Sequence, residues 1–165
     1  MRTPRRLDPD CVVEHLPRLY RAARAWTASR EEAEDLVQET VARVLARRRL
    51  VQAGNELGYL LQALRNTLVS ERRARTRRHA TTPLVEDVGV TSRSGDDPLG
   101  TTTNRQVYEA IHELPEEFRD ALVAVDILGL SYAEAAQALG IREGTLTSRL
   151  FRARDRVASR LEPRQ

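Results

Sequence analysis

The chain has 165 residues, of which 41% are hydrophobic, 31% are charged and only 4% are aromatic. This balance is typical of helical proteins with cores of Leu, Val and Ala, and it argues against a large β sandwich. The net charge of +3 is a small excess, and all 27 basic residues are arginines. Where the arginines lie therefore tells more about function than how many there are.

Several classes of protein are excluded at the outset. No apolar run approaches the roughly 18 residues of a membrane-spanning helix, and the N-terminus MRTPRRLDPD lacks the apolar core of a secretion signal, so we expect a cytoplasmic protein without membrane insertion. The single cysteine, Cys11, lies beside two valines and is interpreted as a structural thiol. The histidines are dispersed and no phosphate-binding glycine loop is present, so the sequence predicts no enzyme, no metal and no cofactor.

The first predicted element is a helix near the N-terminus. Its apolar residues recur at helical spacing: Val12, Leu16, Leu19, Ala23 and Trp26. Pro17 lies inside this pattern, where proline removes a backbone donor and clashes with the preceding turn. We therefore expect Pro17 either to kink the element or to begin a second helix.

The next helix begins at a capping-box signature, Ser29 followed three residues later by Glu32. One stripe of this helix is apolar and contains Ala33, Leu36, Val37, Val41 and Val44. The opposite face carries acidic residues first, and three arginines end the helix. Compensation of the helix dipole alone produces that order of charges, so charge by itself assigns no partner to this face.

A third helix is predicted from near Asn55. It carries an apolar stripe of five leucines and then runs into the arginine-rich segment SERRARTRR. Tyr59, Asn66 and Arg73 are spaced by sevens and so align on its polar face. An aromatic ring, an amide and a guanidinium in line can hold an unpaired base while neighbouring arginines hold the backbone. Tyr59 could equally close a small core, and the spacing does not decide between the two interpretations.

Residues 79–103, HATTPLVEDVGVTSRSGDDPLGTTT, differ in composition from both flanking parts. Thirteen of these 25 residues are Thr, Ser, Gly or Pro, and four acids stand against one arginine. With few apolar residues and no helical period, the segment cannot offset the entropy cost of ordering it. We predict a flexible acidic linker over 79–103 between two small helical domains, 1–78 and 104–165.

The second domain is predicted to be helical throughout. A short amphipathic element from Val107 to Leu114 is ended by Pro115, and another, from Phe118 to Leu128, is ended by Gly129. Two further helices follow, because Ser131 and Glu134 form a second capping-box signature and Gly140 supplies a tight turn before a longer helix. This layout is the helix-turn-helix, whose second helix lies in the major groove of DNA.

That second helix carries five arginines between Gly144 and Leu161. At about 100° per residue, its apolar side chains share one stripe. The adjacent stripe holds the side chains predicted to bind DNA, which are Thr145, Ser148, Arg149, Arg152 and Arg156. Guanidinium groups suit phosphates and guanine edges. The alternative is a merely solvated face, with Arg156 and Arg160 complementing the helix dipole, but the coincidence of cap, turn and stripe favours DNA binding.

Taken together, these motifs resemble the extracytoplasmic function (ECF) sigma factors, small specificity subunits of bacterial RNA polymerase. EEAEDLVQETVARVL is similar to the hallmark of sigma region two, and YLLQALRNTLVSERRAR to its promoter-melting and minus-ten-reading part. LPEEFRDALVAVDILGLSYAEAAQALGIREGTLTSRLFRAR is similar to region four. The segments occur in the family's order, around a linker of the expected character.

The resemblance implies two roles for the first domain. The polar face of the second helix becomes a docking surface for the clamp of the polymerase's largest subunit, with the candidate residues Asp35, Leu36, Gln38 and Glu39. Asn66 matches the asparagine that helps capture a flipped minus-ten base, and Tyr59 lies where relatives usually carry Trp. Arg72 and Arg73 are candidate contacts to the same DNA.

In the second domain, the resemblance places Ser148, Arg149 and Arg152 on the helix that reads the minus-thirty-five element. The chain also departs from the family's pattern. Thr147 stands where relatives often carry Arg or Lys, Arg142 replaces a common Pro, and the loop RRRLVQAGNELGY is atypical. Ala135 replaces a bulkier aliphatic residue. The family's promoter preferences therefore do not transfer to this chain.

The sequence thus predicts an all-α, non-enzymatic initiation factor made of two small helical domains, with core RNA polymerase and promoter DNA as its partners. An anti-sigma protein is a further candidate partner. One alternative is a stand-alone helix-turn-helix regulator that binds an operator without polymerase. The other is a sigma-like decoy that titrates an anti-sigma protein without starting transcription.

Overall fold

The structure of the chain is a computed structural model that describes residues 4–47, 49–81 and 102–162. Its elements, in chain order, are β1 (Pro4–Arg6), α1 (Pro9–Trp26), α2 (Arg30–Arg47), β2 (Leu50–Gln52), α3 (Glu56–Thr81), α4 (Thr102–His112), α5 (Glu116–Leu122), a π-helical turn (Val123–Ile127), α6 (Tyr132–Leu139) and α7 (Glu143–Leu161). Helices dominate these ranges, which confirms the all-α prediction. None of the helices described is long and apolar enough to cross a lipid bilayer.

Helix α1 is one continuous element. Asp8 caps it by accepting a hydrogen bond from the Asp10 N–H at 3.0 Å. Pro17 lies inside the helix and removes the donor that the carbonyl of Val13 would otherwise accept. Because Val13 is 62% exposed, that carbonyl lies on the solvent side of the helix. The helix therefore continues to Trp26, and no second helix begins at Pro17.

Helices α2 and α3 form a bundle with α1. At the start of α2 the Glu32 N–H donates to Ser29 Oγ at 3.1 Å, whereas the Glu32 carboxylate accepts from the N–H of Ala28, one residue earlier than in a capping box. The largest fully buried side chains of this half are Val12, Leu19, Leu36, Leu60, Leu61 and Leu64. Burying one leucine contributes roughly 1.5–3 kcal/mol, so this apolar core is what holds the three helices together.

A short antiparallel ladder joins β1 to β2, and no sequence pattern predicts it. The paired residues are Pro4 with Gln52, Arg5 with Val51 and Arg6 with Leu50. Val51 is buried, and the Arg5 guanidinium donates to Glu56 Oε1 at 2.9 Å. The N-terminal segment thereby fastens the loop that joins α2 to α3.

The C-terminal half is a second group of helices built around α5 and α7. Arg119 of α5 donates hydrogen bonds to the carbonyls of Ile111, His112 and Leu114 at the end of α4. These are carbonyls of the kind that a helix C-terminus leaves without partners. Beyond α5 the chain continues through the π-helical turn to Gly129, whose φ of 78° lies in the left-handed region.

The two halves pack directly against each other, and we call their contact the seam. Trp26 Nε1 donates to Asp120 Oδ1 at 3.0 Å, and Arg65 Nε donates to Asp120 Oδ2 at 2.7 Å. On the other side of α1, His112 Nε2 lies 2.9 Å from the carbonyl oxygen of Arg24. Most buried apolar side chains of both halves belong to one continuous cluster.

The structure describes only the two ends of the predicted linker. Helix α3 continues to Thr81 and α4 begins at Thr102, so residues 79–81 and 102–103 are helical and the expectation of flexibility is wrong for them. Arginine is a good helix former, which lets α3 extend through its arginine-rich end. Residues 82–101, the main part of the predicted linker, lie outside the described residues.

Candidate nucleic-acid interface

The predicted helix-turn-helix is formed by α6, the turn at Gly140 and α7. The Ser131 N–H donates to Glu134 Oε2 at 2.9 Å and the Glu134 N–H donates to Ser131 Oγ at 3.3 Å, so this capping box is complete. Gly140 has φ 66° and ψ 34°, a conformation that glycine adopts at little cost. Helix α7 then begins at Glu143.

One stripe of α7 packs on the core and so fixes which side of the helix is open to solvent. Leu146, Leu150 and Ala153 are at most 1% exposed. We call the exposed stripe beside it the α7 face. It carries exposed side chains from the set predicted to bind DNA, namely Thr145, Ser148, Arg152 and Arg156.

The fifth member of that set, Arg149, lies elsewhere. It is half-buried and lines a cleft of about 240 Å³ at the seam, together with Arg65, Glu116 and Asp120. Arg149 therefore adjoins the N-terminal half in this arrangement and is less open than its neighbours on α7.

The arginines of α7 differ in their partners. Arg154 donates to the two carboxylate oxygens of Asp126 at 3.0 and 2.6 Å, and this hydrogen bonding holds the pKa of Arg154 above its usual value. Arg160 lies 3.0 Å from a carboxylate oxygen of Glu113. Arg149 and Arg152 form no salt bridge with any residue that the structure describes. Two arginines thus tie α7 to its own domain, whereas Arg152 remains available to an external anion.

Aromatic rings flank the α7 face. The guanidinium carbon of Arg156 lies 4.9 Å from the centroid of the Phe118 ring, a cation–π distance. Phe151 is 73% exposed, and sequence reasoning missed it. The signal was a large apolar residue outside the apolar stripe of its helix. In a major groove such a ring suits the methyl group of thymine.

The hydroxyl groups near the start of α7 are held by the helix itself. Thr147 Oγ1 donates to the carbonyl of Glu143 at 2.8 Å, and Ser148 Oγ donates to the carbonyl of Gly144 at 3.0 Å. Each hydroxyl has therefore used its one proton and keeps its lone pairs as acceptors. Acceptors in this position suit the amino groups of cytosine and adenine.

A second candidate surface lies in the N-terminal half, and we call it the base groove. Tyr59, which is half-buried, and Asn66, which is exposed, both line it together with Arg47 and Arg49. Tyr59 also packs against the hydrophobic core, so the two interpretations of this residue are compatible. Sequence reasoning did not assign the two arginines, because they belong to the end of α2 and to the following loop rather than to α3.

The structure separates Arg72 from this groove. Its guanidinium donates to the carbonyl of Trp26 at 3.2 Å, on the side of α3 that meets α1. Arg73 is exposed and lines none of the groove's walls. Of the four residues predicted on this helix, only Tyr59 and Asn66 share one depression.

The predicted docking residues lie along a groove of about 760 Å³ between α2 and α3. Asp35, Gln38 and Glu39 are exposed there, and Glu71 of α3 lies opposite them. Burial raises the pKa of Glu71, and the neighbouring acids act in the same direction while Arg43 opposes them. Leu36 is different, because it is 0% exposed and belongs to the core. Its side chain has no surface to offer a partner, so its part is to hold α2 in place.

Two sigma-70 families match the chain. "Sigma-70 region 2" matches residues 11–78, which include the base groove, and "Sigma-70, region 4" matches residues 104–157, which include the helix-turn-helix. The fold and both candidate surfaces therefore define a protein of the sigma-70 class.

Curated relatives narrow the class to one family. The chain is 34% identical over 154 residues to the ECF RNA polymerase sigma factor SigE of Mycolicibacterium smegmatis, an alignment that covers 90% of this chain and 59% of SigE. It is 34% identical over 157 residues to the ECF RNA polymerase sigma factor EcfG of Rhodopseudomonas palustris, covering 92% of this chain and 83% of EcfG. The chain belongs to the ECF sigma factor family.

Solved structures show the same fold. The sigma factor RpoE of Bartonella quintana, crystallised in complex with the anti-sigma factor NepR, matches with a TM-score of 0.72 and 28% identity, over 93% of this chain and 96% of that one. CnrH, solved in complex with the cytosolic domain of CnrY, matches with a TM-score of 0.63 and 21% identity, over 91% of this chain and 84% of that one.

Proposed function

We propose that this chain is a non-enzymatic initiation factor of the cytoplasm, which binds core RNA polymerase and directs it to promoters through two DNA-binding surfaces. One observation carries the proposal. A single chain holds both a groove with an amide and an aromatic ring, at Asn66 and Tyr59, and a helix-turn-helix whose Arg152 forms no salt bridge with any residue that the structure describes. The first surface suits unpaired bases and the second suits duplex DNA.

The α7 face is the duplex-reading surface of this proposal. Arg152 can form a bidentate contact with guanine, Ser148 can accept from a base amino group and Phe151 can contact thymine. Thr145 and Arg156 lie beside them and position the helix on phosphates. Arg149 joins this surface only when the cleft at the seam opens, because it is half-buried there.

The base groove is the strand-opening surface. The Tyr59 ring offers a stacking partner and Asn66 offers both a donor and an acceptor, as capture of an unpaired base requires. Arg47 and Arg49 line the same groove and can hold the adjoining phosphates. Arg73 is exposed further along α3 and extends the positive charge away from the groove.

Polymerase docking belongs to the exposed face of α2 in this proposal. Asp35, Gln38 and Glu39 present two carboxylates and an amide along a groove that Arg43, Arg77 and Arg78 also line. This mixture of charges suits a polar helical partner such as the clamp. An anti-sigma protein is the third partner that we propose. RpoE of Bartonella quintana was crystallised with one, and its bound structure covers nearly this whole chain in fold.

Run-off transcription from a genomic fragment library, with core enzyme supplied, tests this function. We expect promoter-dependent products that neither component yields alone, and no tight footprint of the chain on DNA without polymerase. A sequence-specific footprint without polymerase would favour a stand-alone regulator. Binding to core enzyme without any product would favour a decoy.

The groove itself is tested by Asn66→Ala in the reconstituted holoenzyme. We expect weaker strand opening, seen as loss of permanganate reactivity at unpaired thymines, with unchanged affinity for core enzyme. Thr76→Ala on the same helix is the matched control, because Thr76 is exposed and lines neither groove of α3. Equal permanganate patterns for the two variants would remove Asn66 from the site.

A further inference from the structure

Basic side chains from four helices meet at the seam, and we call them the cation cluster. Its members are Arg24 of α1, Arg72 of α3, His112 of α4 and Arg119 of α5, so two come from each half. Arg72 donates to the carbonyl of Trp26 at 3.2 Å, and His112 Nε2 lies 2.9 Å from the carbonyl oxygen of Arg24. Burial lowers the pKa of Arg119 and that of His112, and the charges of Arg72 and Arg119, respectively, lower these pKa values further. The four groups are therefore neighbours across the seam.

Within the described parts of the chain, no carboxylate forms a salt bridge with any member of the cation cluster. The acids near it are engaged elsewhere. Asp120 lies 2.7 Å and Glu116 3.9 Å from Arg65. Glu109 lies 3.4 Å from Arg105. The cluster thus lacks the paired acids that half-buried cations usually have.

Backbone carbonyls compensate for only part of the cluster's charge. Helices α1 and α4 both end there, and Arg72, His112 and Arg119 bond to carbonyls at those two ends. Each helix C-terminus carries roughly half a negative charge, so the two ends supply about one negative charge against three guanidinium groups. An excess of about two positive charges remains, which matches a doubly charged oxyanion.

The cluster also has hydrogen-bond donors to spare. Arg24 Nε is buried, and no described residue accepts its hydrogen bond. The guanidinium carbon of Arg24 lies 5.7 Å from the centroid of the Tyr108 ring, which covers the group from the side of α4. Arg119 bonds to carbonyls through Nε and Nη2, and Arg72 through Nη2. Because Arg72 is exposed, an anion can reach these donors from solvent.

We propose that the cation cluster binds a small doubly charged oxyanion, either inorganic phosphate or the phosphate group of a small metabolite, while the two halves are packed together. Because each half supplies two of the basic groups, the bound anion holds the halves to each other. A ligand that binds one arrangement of a protein stabilises that arrangement by mass action. The inference goes beyond the proposed function, and its test uses the chain without polymerase or DNA.

Trp26 provides the readout of the test, because it is the only tryptophan of the chain and is 5% exposed at the seam. The purified chain is titrated with sodium phosphate, and sodium chloride at equal ionic strength is the reference. We expect acrylamide quenching of Trp26 to fall saturably with phosphate and not with chloride. Sulfate, which has the same shape and charge as hydrogen phosphate, should replace phosphate in this titration.

Two variants assign the site. Arg24→Gln and Arg72→Gln each remove one cation, and each should raise the dissociation constant for phosphate on the order of tenfold, as loss of one charge-assisted hydrogen bond predicts. Arg18→Gln is the matched control, because Arg18 is exposed on α1 and lies six residues before Arg24, on another face of the helix. Thermal unfolding without phosphate checks that all three variants are folded.

The remaining outcomes overturn the inference. No saturable effect of phosphate, or an equal loss in Arg18→Gln and Arg24→Gln, removes the site. Saturable binding that increases the quenching of Trp26 shows that the anion favours separated halves. If a short DNA oligonucleotide binds through the same two arginines more tightly than phosphate and increases quenching, the cluster is a nucleic-acid contact. Run-off transcription is measured separately, so failure of this site and failure of the proposed function are distinguishable.

Discussion

The α7 face and the base groove, the two surfaces that we propose bind DNA, carry similar side chains but are built in different ways. The α7 face belongs to one helix, and its direction is set by a stripe of buried residues such as Leu146 and Leu150. The base groove draws its residues from α2, from α3 and from the loop between them, which β1 fastens. A surface on one helix is lost when that helix unfolds, whereas a surface shared by several elements also depends on the contacts that hold those elements together.

The arginines follow the same division. On α7, Arg154 and Arg160 are paired with acids of their own domain, whereas Arg152 forms no salt bridge within the described parts of the chain. Near the base groove, Arg5 is paired with Glu56 to hold the loop, while Arg49 lines the groove itself. In both places one set of arginines is paired within the chain, and another set lies on the surface that we propose binds DNA.

The largest expected effect comes from a substitution that disrupts the α7 face and leaves the base groove intact. Leu150→Ala leaves a cavity at a side chain that is 1% exposed and should lower the free energy of unfolding by roughly 2–5 kcal/mol. Urea unfolding measures this loss. We expect duplex binding to disappear while the holoenzyme still binds a single-stranded minus-ten oligonucleotide. Equal loss of both activities would show that the groove depends on α7, and a change in DNA affinity alone would contradict the face assignment.

The next prediction concerns the seam, where the two halves of the molecule pack against each other. Asp120 is 6% exposed, and Asp120→Asn removes the charge that Arg65 meets at 2.7 Å. We expect a loss of roughly 1–3 kcal/mol in the free energy of unfolding, with the two halves becoming separable in urea. Glu116→Gln is the matched control, because Glu116 lies 3.9 Å from the same arginine and is mostly exposed. A similar loss in both variants would mean that burial of Asp120 is not what matters.

A smaller effect sharpens the division among the arginines of α7. Arg152→Ala should cost about 1–3 kcal/mol of promoter binding if the side chain reads a base, or lower the salt slope by about one unit if it holds a phosphate. Arg154→Ala should change neither, because Arg154 is occupied by Asp126. Salt titrations of holoenzyme binding measure both quantities. Identical results for the two variants would show that Arg152 contributes no more to DNA binding than Arg154 does.

The smallest effect is a pH dependence of the seam. Burial lowers the pKa of His112, an effect that Arg119 and Arg24 reinforce and that the hydrogen bond to the Arg24 carbonyl partly offsets. Near pH 6.5 the histidine is protonated in the unfolded chain but stays neutral in the folded chain. Protonation therefore favours unfolding, and the free energy of unfolding falls as the pH drops below about 6.5. Unfolding free energies between about pH 7.5 and 5.5 measure the slope. His112→Asn should flatten it, and an unchanged slope would place the proton elsewhere.

The features that the sequence predicts are those whose determinants lie within one segment of the chain. Periodicity and capping signatures predicted α6, Gly140 and α7, because every determinant of that motif lies within one short segment. The ladder of β1 with β2 was not predictable, since three residues at the N-terminus carry no pattern that names a partner so far along the chain. The π-helical turn after α5 was likewise hidden within a helical periodicity.

Site residues show the same limit. Spacing by sevens brought Tyr59 and Asn66 together correctly on α3 but could not tell that Arg72 would turn toward Trp26. Nor could a single-helix pattern find Arg49, which approaches from another element. The burial of Leu36 was visible in its apolar stripe, although the family resemblance suggested a contact role.

The position of Arg149 has a consequence for the order of events at a promoter. Arg149 is half-buried in the cleft that Arg65 and Asp120 also line, so its side chain becomes more accessible to a duplex when the two halves move apart. Whatever separates the two halves, whether a large assembly or DNA itself, would thereby also expose one more cation beside the surface of α7 that we propose binds DNA.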